Sequence, residues 1–342
     1  MTTATTVRTL KPVRMGVIGV GRFGQHHASA LAQLPYVDLV GVCDRDGDRA
    51  REVARRLGVA TAATEVADLL ACGLQAVTVA TGIGEHAAPV LAALQAGCHV
   101  LCEKPVATTV EEIDRLAAAA QRADRFLMPG HVLRFDVHYQ TVAARVARGE
   151  VGEIRSIYCR RNVARSHLDW HRPPFTPVLE TGVHDIDCIR WLTGSEVARV
   201  YALRSRSVRP DLDDSYWTLM TLRDGTICGL ETSWLIPDGD PSGLEARLEL
   251  LGTAGRATLV LPNDTVQIST AARAEHPDTA YWPVVAGGTR GAIHAELAYF
   301  ATCCLKGVPP TAVTIDDARR AIAVAAAIHQ SAETGSAVDL PA

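Results

Sequence analysis

From residue 14 to about residue 132, short apolar runs rich in β-branched residues alternate with amphipathic stretches of helical period. RMGVIGV (14–20) predicts a strand, and the stretch from Arg22 to Leu34 a helix that Pro35 stops. VDLVGVCD (37–44) is a second strand, DRAREVARRLG a helix ending at Gly58, and LQAVTVAT (74–81) another buried strand. A helix over 85–96 ends at Gly97, a residue type that tolerates the left-handed position after a helix. HVLC (99–102) is the next strand. Thr108 and Thr109 each precede a glutamate by three residues (Glu111, Glu112), the signature of a capped helix start, and that helix runs to about Ala123. RFLMPGHVL (125–133) closes the series. This rhythm predicts βαβ units in a doubly wound parallel sheet.

After about residue 150 the pattern changes to longer strand-like runs, with Asp224-Gly225 and GTAG (252–255) as hairpin signals. One helix at about 180–193 interrupts them, and two more, near 291–306 and 315–334, finish the chain. This half predicts an α+β domain built on a large open, mostly antiparallel sheet with helices on one face. A length of 342 residues suits two domains, divided here as 1–133 and 134–342.

Composition narrows the class without changing this picture. The chain is 48% hydrophobic and 21% charged, hence globular, and its formal charge of −4 is spread in both signs, which excludes a nucleic-acid footprint. The nine cysteines are odd in number and sit mostly in apolar runs, which predicts reduced thiols in a cytoplasmic protein. No CxxC pair suggests structural zinc, and no metal is assigned to His26-His27 or to His167 and His171. The Thr-rich start lacks an apolar segment and reads as a frayed tail, neither signal nor membrane anchor.

GVIGVGRFG places Gly19, Gly21 and Gly24 in a G-x-G-x-x-G pattern between a strand and a helix. Such glycines give a tight turn, close backbone approach to a pyrophosphate and close packing of helix on strand. The helix N-terminus then offers N–H groups and a positive dipole end to the phosphates, with Arg22 and Phe23 inside the motif. Asp44 ends the next strand 20 residues after Gly24, where an acid accepts from a ribose 2′-OH. A 2′-phosphate would meet that carboxylate at a cost of about 4 kcal/mol for unit charges 4 Å apart. NAD is favoured; Arg45 beside it keeps NADP open.

HVLCEKP (99–105) ends a buried strand on Glu103 and Lys104, charges that interiors rarely hold unpaired. The carboxyl ends of strands are where doubly wound sheets bind ligands, so these charges are candidates for chemistry. Oxidising a carbinol requires a group to take the hydroxyl proton while the cofactor takes the hydride. A lysine titrates near pH 10.4 in water, and burial beside an oxidised nicotinamide would lower it. In ETGVH, Glu180 and His184 are four residues apart and fall on one helical stripe that Asp187 extends. A carboxylate there could fix the imidazole tautomer. Lys104 and His184 are the expected proton-handling pair, either one as the immediate base, with Glu180 as orienter or substrate ligand. Before that helix, residues 160–175 concentrate Arg161, Asn162, Arg165, His167 and Trp170, either substrate contacts or a solvated or oligomeric surface.

The glycine motif, VATGIGEHAAPVLAALQAGCHVLCEKP (79–105), GHVLRF (130–135) and GVHDIDCIRWLTG (182–194) together resemble the Gfo/Idh/MocA family of oxidoreductases over nearly the whole chain. The resemblance implies an N-terminal Rossmann domain, a C-terminal domain whose open sheet is used for dimer or tetramer contacts, and NAD(P)-dependent oxidation or reduction of a secondary hydroxyl on a sugar, cyclitol or nucleotide sugar. It implies that Lys104 approaches nicotinamide and substrate, that Glu103, Thr81 and His86 border the cofactor, and that Arg134 lies near the substrate. The family's Asp-x-x-x-His matches His184 directly, with Glu180 in place of the aspartate. Expected partners are thus a small polyhydroxylated substrate and further copies of the chain, with no membrane. Two alternatives stand beside the dehydrogenase: a retained-NAD enzyme that oxidises transiently to allow elimination, epimerisation or glycoside cleavage, and a non-catalytic nucleotide or sugar sensor.

Overall fold

The computed structural model describes residues 11–170, 175–261, 266–270 and 274–341. The N-terminal part runs β1 (Val13–Ile18), α1 (Arg22–Leu31), β2 (Val37–Cys43), α2 (Gly47–Leu57), β3 (Thr61–Ala63), α3 (Val66–Leu70), β4 (Ala76–Val79), α4 (Ala87–Gln95), β5 (His99–Glu103), α5 (Val110–Ala123) and β6 (Leu127–Gly130). These strands form one parallel sheet in the order β3-β2-β1-β4-β5-β6, the doubly wound arrangement that the alternating pattern predicts. β3 and α3 are additions to that expectation, because three and five residues are too short to show a period. The central strands are buried on both faces: every residue of β4 is buried, and in β5 Val100, Leu101 and Cys102 are fully so. Gly58 and Gly97 both take the left-handed conformation expected after α2 and α4. The Thr109 hydroxyl accepts from the Glu112 amide at 3.2 Å and starts α5.

The remainder contains α6 (Val137–Ala147), β7 (Ile154–Ala164), α7 (His167–Trp170), α8 (Val183–Thr193), β8 (Val197–Ser205), β9 (Ser215–Leu222), β10 (Ile227–Ile236), β11 (Leu244–Gly252), β12 (Arg256–Leu261), the short strands β13 (Ile268–Ser269), β14 (Ala274–Glu275), β15 (Val284–Val285) and β16 (Gly288–Thr289), then α9 (Gly291–Lys306), α10 (Ile315–Thr334) and β17 (Val338–Asp339). Seven strands form a sheet ordered β12-β11-β7-β10-β9-β8-β17, antiparallel except for β7 beside β10. Asp224-Gly225 turns β9 into β10, with Gly225 left-handed, and Gly252 and Gly255 close the β11–β12 hairpin.

The chain divides into two compact units that are discontinuous in sequence, where the sequence reading places a single boundary after residue 133. One gathers the residues up to Glu103 with Leu116–Met128 and Val284–Ala312; the other gathers Lys104–Arg115, Pro129–Pro283 and Val313–Ala342. α9 belongs to the first unit because its buried face packs on α1. Among the described residues no helix is long and apolar enough to cross a membrane.

Candidate active site

In the first unit the loop between β1 and α1 is tied to the end of β2. Gly19 donates its amide to the Cys43 carbonyl at 2.8 Å, and Val20 donates to Asp44 Oδ2 at 2.9 Å. Gly19 has φ of +83°, and a Cβ on Gly24 would lie 1.8 Å from the Gly19 carbonyl oxygen, so both positions require glycine for the protein's own packing. Gly21 differs. Its φ is −64°, and a Cβ there would meet nothing within 4 Å. The open space lies at the N-cap of α1, where no side chain caps the helix, so the first-turn N–H groups face it. That is the cradle a pyrophosphate requires, and the residues present fit a dinucleotide.

Asp44 is nearly buried, with its side chain 11% exposed, and its other oxygen accepts from the Asp46 amide at 3.0 Å and from Arg49 at 3.2 Å. The cation beside Asp44 is thus Arg49, whereas Arg45 points to Glu85, 2.7 Å away. Thr81 and His86 close the loop after β4: the Thr81 hydroxyl donates to the Glu85 carbonyl at 3.2 Å, and His86 Nε2 donates to the Thr81 carbonyl at 3.1 Å. Arg22 is exposed and Phe23 half-buried, its ring edge-on to His26. Glu103 corrects its expectation as a cofactor contact. It is 6% exposed and turns inward to His27 Nε2 at 2.9 Å.

In the second unit, Lys104 Nζ donates to the main-chain carbonyl of Glu180 at 2.6 Å. The single helix expected over 180–193 is two elements: one π-helical turn, Val178–Gly182, followed by α8. Thr181 explains the wide turn, because its hydroxyl donates back to the Pro177 carbonyl at 2.8 Å and meets the Thr232 hydroxyl at 2.8 Å. The Glu180–His184 stripe is therefore corrected: the Glu180 carboxylate bonds His167 Nδ1 at 2.9 Å. His184 is left without it. Its Nδ1 is buried with no partner among the described residues, and burial first, then the charges of Lys104, Arg161 and His131, hold its pKa well below 6.5. The imidazole is neutral at pH 7.

Two of the three arginines foreseen as substrate contacts are spent on the protein. Arg134 forks onto Asp187 at 2.8 and 2.6 Å and reaches Asp317 at 3.0 Å. Arg161 grips Asp185 at 2.7 and 3.1 Å and donates to the Tyr139 hydroxyl at 2.7 Å. Both are buried, and a bidentate guanidinium so engaged has little left for a ligand. Asn162 donates to Glu231 and accepts from Ser233, each at 2.8 Å. Arg165 is exposed, and its amide joins β7 to the Ile236 carbonyl. The side chain of Trp170, like His171, lies outside the described residues. The structure thus gathers Lys104, His184, Glu180 and His167, and adds His131 and Asp187, which lie 3.7 Å apart.

Residues 13–131 match the Gfo/Idh/MocA oxidoreductase family with NAD-binding Rossmann fold, and residues 139–258 match the family's C-terminal domain. The chain belongs to this family. It is an NAD-dependent oxidoreductase of the CH–OH class. Similar proteins include inositol 2-dehydrogenase 1 of Saccharopolyspora erythraea, 32% identical over 83% of this chain and 80% of that protein. Myo-inositol 2-dehydrogenase of Thermotoga maritima is 28% identical over 96% of this chain and 98% of its own. Among solved structures, an oxidoreductase domain protein of Kribbella flavida superposes with a TM-score of 0.80 at 25% identity, covering 97% of this chain and all (100%) of the other. Among the Gfo/Idh/MocA motifs of this chain, GHVLRF drew attention to Arg134 alone. His131 in the same hexapeptide is the residue that reading missed. Its only signal was a polar side chain at a strand's carboxyl end.

Proposed function

We propose that this protein is a cyclitol dehydrogenase that interconverts a secondary ring hydroxyl and the ketone, with Lys104 and His184 handling the proton. NAD, when bound, supplies the hydride acceptor. As the carbinol C–H and O–H bonds break and C=O forms, the hydroxyl proton passes to Lys104 or His184, and it returns by the same route in reduction. The observation that carries the reading is the pairing of a lysine tethered to a main-chain carbonyl with a neutral imidazole whose buried Nδ1 has no partner among the described residues. The tether fixes where the amine stands. The names of the relatives above support a cyclitol over a hexose. Glu180 takes a positioning role: its carbonyl places Lys104 and its carboxylate holds His167.

The test is NADH formation with myo-inositol and scyllo-inositol against hexoses and nucleotide sugars. Turnover confined to cyclitols supports the reading. Turnover on nucleotide sugars alone would replace it, and tightly co-purifying NAD without net turnover would favour transient oxidation. We also infer a homodimer or homotetramer in the cytoplasm. Tyr201 and Leu203 on β8 pair in register with Leu219 and Trp217 on β9, and all four are exposed, an apolar surface a second copy would cover. All nine cysteines are free, in keeping with a reducing compartment. Sedimentation of Trp217→Glu checks the assembly: a smaller species than wild type is expected.

A further inference from the structure

Lys104 and His131 occupy equivalent places. Each is the first residue past the carboxyl end of a strand, and the two strands, β5 and β6, are neighbours in the sheet. Nothing in the proton chemistry above uses His131, yet it is built in with care. It is 3% exposed, its amide donates to the Pro129 carbonyl at 3.0 Å, and its carbonyl accepts from the Arg134 amide at 3.1 Å. Its Nδ1 has no hydrogen-bond partner among the described residues, and the nearest charged oxygen is Asp187 Oδ2 at 3.7 Å. Asp187 cannot wander, because Arg134 holds both its oxygens and is itself held by Asp317. The imidazole therefore lies 3.7 Å from a fixed carboxylate that follows His184 by three residues on α8, and one strand over from Lys104, and the charges of both basic groups act on it.

We propose that His131 is a positioning residue of the proton-handling pair, which, backed by Asp187, sets the charge state that Lys104 and His184 can hold together. This rests on the function proposed above. The carboxylate favours the tautomer with hydrogen on Nδ1, leaving Nε2 with a lone pair. Like charges on these groups disfavour one another, so a proton taken by one imidazole makes the other harder to protonate, and the Lys104 charge bears on both. His131 thus helps keep His184 neutral and ready to accept, and Arg134 keeps Asp187 from drawing a permanent proton onto His131.

Imidazole NMR titration tests this without reliance on turnover. In the wild type the His131 and His184 resonances should titrate below the ordinary histidine range in interdependent steps. His131→Asn should move the His184 midpoint up, because a neighbour that can become cationic is gone, and Asp187→Asn should move the His131 midpoint down. In the kinetic arm, His131→Asn should lower kcat by about 100-fold, the cost typical of a small misplacement of catalytic groups, and shift the pH profile, with NADH affinity unchanged. Should His131→Asn fail to fold, His131→Gln serves in its place. An unmoved His184 midpoint in a folded variant would overturn the proposal. Absence of cyclitol turnover in the wild type would overturn the proposed function while leaving the titrations able to decide the role of His131.

Discussion

At the end of β1, recognition is made of backbone: Gly19 and Gly24 are pressed together so closely that a methyl group has no room, and Gly21 leaves open the space above the α1 N–H groups. At the ends of β5 and β6 it is made of side chains whose charges act on each other: Lys104, His131 and His184, ringed by Asp185 and Asp187 that arginines have already claimed. In the first site Gly19 and Gly24 tolerate no added side chain, and what a ligand would meet is main-chain N–H groups. The second depends on how its charges act on one another. A backbone site can be specified by a hexapeptide, whereas an electrostatic one has to be assembled from residues 80 positions apart, with every neighbouring carboxylate accounted for.

The largest expected effect breaks the side-chain site alone. Lys104→Ala should reduce turnover by about 10²- to 10⁴-fold, the usual range for a lost acid–base group, with NADH binding retained. Stopped-flow turnover and a fluorescence titration of NADH separate the two; parallel loss of both would show that Lys104 serves binding and not proton transfer. Arg161→Met tests whether the cation behind that site is structural. It leaves Asp185 buried and unpaired, and should destabilise the second unit by about 3–5 kcal/mol in urea unfolding. A milder loss with raised substrate KM would return Arg161 to the substrate contacts.

The glycine loop can be divided more finely. Gly24→Ala should cost about 3 kcal/mol of stability, since its Cβ would collide with the Gly19 carbonyl. Gly21→Ala should leave the melting temperature in place and weaken NAD binding, because its Cβ meets only the open cradle. Equal affinities for wild type and Gly21→Ala would remove the pyrophosphate from that space.

The same division explains what could be read in advance. The parallel sheet, the glycine loop, α9 and α10 follow from local period, capping and turn chemistry, and the predicted and observed limits of the last two helices coincide at 291–306 and 315–334. Lys104 and His184 were legible as motif residues. What could not be read was where neighbouring charges are spent. Nothing local says that Arg134 reaches Asp187, 53 residues away, or that Arg161 reaches Asp185. Nor does spacing show that Thr181 widens one turn and carries the Glu180 carboxylate to His167, away from His184. A four-residue spacing implies a shared face only when the helix is regular.

The smallest predicted effect concerns a buried charge in the first unit. Glu296 on α9 is fully buried, and neither carboxylate oxygen has a partner among the described residues. Burial first, and then the Glu103 carboxylate, raise its pKa well above the ordinary 4.5. The folded protein therefore keeps a proton that the unfolded chain releases near pH 4.5, so the native state binds more protons above that pH, and stability falls as pH rises toward the folded value. Glu296→Gln keeps the shape and has no proton to lose. Its melting temperature should match the wild type at pH 4.5 and exceed it by a margin that widens between pH 5 and 8. A variant less stable by the same amount at every pH would mean that the carboxylate is ionised and bonded, and that the charge balance around Glu103 is as tightly committed as the one around Lys104.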